Sequence, residues 1–205
     1  MKTQGFEEPR LARFIFSDPR MAVVWLLIRI YVGWQWLAAG FGKMRSPVWT
    51  GNQAGTAMAG FVNGALQKST GANIAVQGFY AGFLQMFVLP HTAVWSYAIT
   101  YGEILVGLGL IAGLFTGIAA FFGGLLNANY LLAGTVSTNP LLFILATWLV
   151  LAWRVAGLIG LDRWALPAVG VPGQAGRLFK REQPAAANLS SSAHQGSQPR
   201  PEFES

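Results

Sequence analysis

Four stretches of this chain are apolar over the length of a membrane-crossing helix: Met21 to about Gly42, about Thr92 to Leu114, about Gly117 to Gly134, and about Pro140 to Leu161. A helix rises about 1.5 Å per residue and the hydrocarbon core of a bilayer is about 30 Å thick, so about 20 residues suffice. The turns after the second and third stretches are very short, which makes those consecutive helices antiparallel neighbours. Between the first and second stretches the pattern is mixed. Ala54 to Lys68 reads as a short helix and Asn73 to Leu89 as a more apolar one. Pro90 follows at once and leaves no loop before the next stretch, so Asn73 to Leu89 is expected to be an interfacial or re-entrant element on the outer face rather than a fifth span. The pattern predicts an all-α integral membrane protein, a four-transmembrane-helix bundle with an outer interfacial helical loop.

Polar positions set the boundaries. Residues 1–20 form a polar N-terminal segment with Lys2, Arg10, Arg13 and Arg20, residues 21–166 the four-span domain, and residues 167–205 a polar tail whose last part, 184–205, has a composition that predicts disorder. Ala38-Ala39-Gly40 offers a cleavage-like site, but the apolar core before it is too long, and its polar lead too large, for a typical signal peptide. Basic residues gather before the first span and, as Arg163, Arg177, Lys180 and Arg181, after the last. With an even number of spans this bias puts both termini in the cytoplasm and the protein in the plasma or inner membrane.

Composition agrees with lipid surroundings. The 205 residues are 53% hydrophobic and 11% charged, against about 25% charged in soluble domains. The formal charge of +6 could suit nucleic acid, but no basic stripe interleaved with aromatics supports that partner. There is no cysteine, which excludes disulfides, thiolate catalysis, iron–sulfur clusters and cysteine-type zinc sites. The two histidines, His91 and His194, cannot supply bis-histidine haem ligation within the membrane. No glycine-rich phosphate or dinucleotide loop appears, so haem, flavin, nucleotide and metal all lack a motif.

Between Pro19 and Leu161 the chain has one carboxylate, Glu103. A charge within hydrocarbon is costly and needs a partner or a purpose. Counted from the expected boundaries, Arg29, Glu103 and Asn127 lie about 12, 13 and 15 Å from the inner face. The count therefore places the three on one level, and Arg29 is the expected partner of Glu103. That pair reads either as a structural clasp or as a protonatable carboxylate beside a cation at a quinone or proton site. Arg29, Gly33, Trp36, Gly40 and Lys43 follow one stripe of the first helix, and Gly123, Asn127, Tyr130 and Gly134 one stripe of the third. Glycines on such stripes allow close helix packing. Asn127, Asn129 and Gln35 read as interhelical hydrogen bonders, and Arg154 as a side chain that snorkels to the inner surface. On the outer face Lys43, Arg45, Lys68 and His91 occur without any acid. They suit lipid phosphates, or the capture of an anionic substrate or acidic partner at the mouth of the bundle.

These residues resemble the DoxX family, and more closely its DoxD-like branch. The matching features are Arg29 with Gly33 and Gly40-x-x-Lys43, Trp49-Thr50-Gly51, Gly60-Phe61, Tyr80 to Leu89 with Pro90-His91, and Gly102-Glu103. Gly113-Leu114-Phe115-Thr116, Asn127-x-Asn129, Asn139-Pro140 and Gly160-Leu161-Asp162-Arg163 follow in order. The resemblance covers about residues 20–166. It implies a four-helix membrane protein and, through the DoxD-like branch, the membrane subunit of a thiosulfate:quinone oxidoreductase working with a small partner subunit.

The resulting expectation is a membrane subunit that passes electrons from thiosulfate or another reduced sulfur anion to a membrane quinone. Glu103 and Arg29 would manage charge at the quinone. Lys43, Arg45 and His91, with Asn127 and Asn129, would bind substrate. Two other readings stay open: a non-catalytic scaffold anchoring a soluble redox enzyme, and a small transporter. Four short spans without an inverted repeat or broken-helix pair speak against the transporter.

Overall fold

The computed structural model describes residues 9–171. The chain divides into two units at Leu166 and Pro167. The predicted disorder of 184–205 lies outside the described residues, as do residues 1–8.

Every regular element among the described residues is helical: α1 (Arg10–Ser17), α2 (Ala22–Met44), α3 (Pro47–Thr50), α4 (Thr56–Gln67), α5 (Gly78–Phe83), α6 (Thr92–Ala112), α7 (Thr116–Leu132), α8 (Asn139–Leu151), α9 (Trp153–Ala156) and α10 (Asp162–Ala168). Two helical runs, Pro19–Met44 and Gly78–Ala112, are long and apolar enough to cross a membrane. α7 and α8 are apolar and shorter.

Two expectations change. Asn73 to Leu89 is not a separate capping element. A π turn (Leu84–Val88) and a 3-10 turn (Leu89–His91) carry α5 directly into α6. Proline removes one backbone donor and kinks a helix, but the altered hydrogen-bond spacing around Pro90 absorbs the defect, so the run continues for 35 residues. The fourth apolar stretch is also shorter than expected. α8 ends at Leu151, the single-turn α9 follows, and the chain then leaves the helical path.

α2 packs most extensively on α6, and α7 on α8. Among lipid tails there is little hydrophobic gain from helix association, so close van der Waals approach has to hold such a bundle. Glycine supplies it. A Cβ on Gly40 would stand 2.6 Å from Cγ1 of Ile104 and 2.9 Å from its backbone N, and one on Gly107 would stand 2.7 Å from the backbone N of Leu37. These contacts also define the register: Gly40 lies level with Thr100 to Ile104, and Gly33 with Gly107 to Leu110. Toward the end of the bundle where α6 stops, Val32, Leu110, Ala120 and Leu149, one from each of α2, α6, α7 and α8, are all 0% exposed and belong to one apolar cluster. A second cluster forms at the other end around Val62, Val76, Leu84 and Ala133, where α4 and the π turn pack together.

Candidate functional site

Glu103 is 0% exposed, on the face of α6 turned toward α2 and α7. Its partner is Lys43, not Arg29. The Lys43 ammonium donates to both carboxylate oxygens, at 2.8 Å to Oε1 and 2.7 Å to Oε2. Tyr130 on α7 donates its hydroxyl to Oε1 at 2.6 Å. The carboxylate thus accepts three hydrogen bonds from two other helices, two of them from a cation, which is how a buried charge becomes tolerable.

Aromatic rings wall the cluster. The Lys43 ammonium lies 5.2 Å from the centroid of the Trp49 ring, within range of a cation–π attraction. Trp36 stacks on Tyr130 at 6.4 Å, and Phe61 meets the same tyrosine edge-on at 5.9 Å. Beside them opens a cleft of ≈ 460 Å³ to which Lys43, Glu103, Tyr130, Trp36, Trp49 and Phe61 contribute. Its far side is polar: Gln35, Thr135, Ser137, Thr138 and Asn139 line it. Ser137 has φ 39, an unusual left-handed conformation for a residue other than glycine. It marks the tight turn that brings the start of α8 over the cleft.

Arg29 belongs to the opposite end. It is 1% exposed, and its guanidinium donates to Ala156 O at 3.0 Å and Ile159 O at 2.8 Å, the carbonyls freed where α9 stops. A Cβ on Gly113 would stand only 1.9 Å from Nη1 of Arg29, so Arg29 is level with Gly113, ten residues beyond Glu103, or about 15 Å along the axis. The sequence count gives equal depth only if α2 and α6 end together at one face. They do not: α6 stops at Ala112, and α2 continues past it by about two turns. The loop behind Arg29 is closed by Asp162, whose carboxylate accepts the backbone N–H of Phe115 and of Thr116, the latter at 2.9 Å. This caps the start of α7, where the helix dipole favours negative charge.

The other expected site residues divide between the two ends and the surface. Asn127 is 0% exposed, one turn from Tyr130 on the same face of α7, and neither its Oδ1 nor its Nδ2 meets a protein partner. The same holds for the indole Nε1 of the buried Trp36. Asn129 is engaged elsewhere: it donates to Leu125 O at 2.7 Å, and its Oδ1 accepts the Tyr80 hydroxyl at 3.1 Å. Arg45 and His91 are exposed, and His91 lies in the 3-10 turn before α6 with its Nδ1 3.3 Å from Phe87 O. Neither lines the cleft. Arg154 is exposed, its guanidinium 5.1 Å from the Trp153 ring centroid. Lys68 ties α4 to the end of α7 by a bond to Gly134 O at 3.0 Å.

Tyr130 was not among the expected site residues, although the stripe it shares with Gly123 and Asn127 pointed inward. Lys43 stood on the Arg29 stripe at the correct spacing, but as an outer-face cation rather than as the ion-pair partner.

Helices packed through glycine around a buried ion pair, with two runs long enough to span a bilayer, define a helical membrane protein with a polar cleft. Residues 24–134, more than half of the chain, match the DoxX family, a family of membrane proteins, and the chain belongs to it. The match covers α2 to α7, which carry Lys43, Glu103 and Tyr130, and stops before the Ser137–Asn139 side of the cleft. No curated protein and no solved structure matches the chain.

Proposed function

We propose that this DoxX-family protein is the membrane subunit of a quinone-linked oxidoreductase, with the cleft beside Lys43, Glu103 and Tyr130 receiving the quinone head group. α2, α6, α7 and α8 together with α9 would be its four spans, in the plasma membrane, with both termini cytoplasmic. Arg10, Arg13, Arg20, Arg154 and Arg163 flank the inner end of those spans, in keeping with the cytoplasmic bias of basic residues.

The observation that carries the reading is the hydrogen-bond inventory of the cluster. An ammonium has three donors, and Lys43 gives two to Glu103; the third is available to a quinone carbonyl. Tyr130 gives its proton to Glu103, which leaves its oxygen as an acceptor for a quinol hydroxyl. Trp49 and Phe61, both half-buried at the cleft, offer apolar surface to a ring. The cluster can therefore hold either redox state.

Reduction of the quinone takes two electrons and two protons, one proton to each carbonyl oxygen. The electrons would come from a reduced sulfur anion such as thiosulfate, two of which join through a new S–S bond as they lose one electron each, or from a partner redox subunit. Protons would enter through Lys43 and Tyr130, with Glu103 holding the balance of charge. Arg45 and His91, exposed on the same outer side, would draw the anion toward the mouth.

The test is to purify the full chain in mild detergent and measure co-extracted quinone by mass spectrometry, alongside Glu103→Gln and Tyr130→Phe. Near-stoichiometric quinone in the wild type, depleted in folded variants, is expected. Quinone no higher than in an unrelated membrane protein would sink the proposal. The Lys43–Glu103–Tyr130 cluster would then be a clasp joining three helices of a scaffold.

A further inference from the structure

At the start of α2 the chain builds a second polar concavity, remote in sequence from the Glu103 cluster. α1 is amphipathic. Its inner side is pinned: Phe16 stacks on Trp25 at 5.8 Å, and the Trp25 indole donates to Ile15 O at 2.8 Å. Its outer side leaves Leu11 70% and Phe14 45% exposed. Asp18 then turns the chain, accepting the Arg20 backbone N–H at 2.8 Å to open the 3-10 turn Pro19–Met21.

The turn folds Arg20 back toward Arg10 and Arg13, which lie three residues apart on one side of α1. These three arginines, with Phe14 and Asp18, border a cavity of ≈ 490 Å³. All three are exposed. Among the described residues the ion pair is Lys43–Glu103, so the arginines meet no acid there. Asp18 also lines the cavity; its Oδ1 accepts the Arg20 backbone N–H, and its charge offsets one of the three guanidiniums, so the cavity keeps a positive excess.

Three guanidiniums around one cavity repel one another until an anion joins them. Guanidinium is planar, permanently charged and matched to the paired oxygens of a phosphate. Its apolar neighbours identify the source of that phosphate. Leu11 and Phe14 project beside the arginines, and α1 sits at the end of a helix long enough to span a bilayer. A short amphipathic helix that exposes arginines and large apolar side chains next to one another suits the boundary between headgroup and acyl chain. We propose that the cavity bordered by Arg10, Arg13 and Arg20 binds the phosphate of an anionic phospholipid, with Leu11 and Phe14 dipping among its acyl chains. The proposal stands apart from the quinone reading.

The test uses the full chain in detergent, titrated with phosphatidylglycerol or phosphatidylcholine and read by native mass spectrometry. Wild type should retain phosphatidylglycerol over phosphatidylcholine by about tenfold. The triple variant Arg10→Gln/Arg13→Gln/Arg20→Gln, whose exposed positions leave the fold intact by size exclusion, should lose that preference. Arg154→Gln/Arg163→Gln, which removes guanidiniums outside the cavity, should keep it. An unchanged preference in the triple variant overturns the proposal, as does equal loss in both variants. Displacement of the lipid by an equal concentration of inorganic phosphate would show a free-anion site and overturn it as well.

Discussion

Lys43 and Glu103 stand 60 residues apart in the chain, yet the ammonium of one closes on both oxygens of the other across the α2–α6 interface. Lys43 keeps 17% of its side chain exposed and Glu103 only 1%. The pair is therefore a buried carboxylate reached by a lysine from the edge of the cleft. Removing one partner of a fully buried pair costs about 3–5 kcal/mol. With Lys43 partly solvated, Glu103→Gln or Lys43→Met should each cost about 2 kcal/mol. The double variant should cost well under the sum, because neither charge is then stranded. Denaturant or thermal unfolding in detergent over the four-corner cycle measures the coupling; additive losses would mean that the pair contributes nothing.

Tyr130→Phe removes the third bond to Glu103 and little else. A hydrogen bond to a charged group is worth about 1.5–3 kcal/mol, so a loss of about 2 kcal/mol is expected, with the aromatic contacts to Trp36 and Phe61 intact. Retained tryptophan fluorescence together with a lowered unfolding midpoint would show this. An unchanged midpoint would mean that the hydroxyl bonds equally well elsewhere.

The glycines of α6 should separate sharply. Gly107→Ala drives a Cβ to 2.7 Å from the backbone of Leu37, and since backbone cannot rotate aside, α2 and α6 must part. Overpacking in cores costs about 1–3 kcal/mol, and the upper end is expected here. Gly102→Ala, five residues earlier, meets nothing within 4 Å and gains helix propensity of up to about 1 kcal/mol. Comparing the yield and melting temperature of the two variants is sufficient; equal behaviour would contradict the packing described.

At the Arg29 end of the bundle Gly113→Ala meets two penalties at once. Its φ of 64 is left-handed, which costs an L side chain about 1–2 kcal/mol, and the new methyl occupies the position of the Arg29 guanidinium. Arg29→Lys keeps the charge but cannot bond Ala156 O and Ile159 O through a planar fork. Each should lower stability by about 2 kcal/mol or more. The pair should be non-additive, since both disrupt the same contact.

Much of the architecture was legible in the order of residues because lipid imposes a simple rule: apolar runs of sufficient length become helices. Glu103 stood out for the same reason, as a lone acid in an apolar run. Its partner was harder to read. Depth counted from assumed boundaries placed Arg29 beside it, whereas the register set by Gly40 on Ile104 and Gly107 on Leu37 slides α2 along α6 until Lys43 arrives instead. Such a register depends on backbone contacts that no single-helix pattern contains. Pro90 misled for a related reason: a proline predicts a break, and only the π and 3-10 turns around it show that the helix bends and carries on. Tyr130 was visible on an inward stripe but had no charge to single it out.

The layer formed by Val32, Leu110, Ala120 and Leu149 lies between the carboxylate cluster and the arginine clasp. Its consequence is electrical. These four side chains offer an ion no polar atom to exchange with, so the charge on Glu103 and the charge on Arg29 are separated by apolar packing, and a change of charge at one end is felt only weakly at the other.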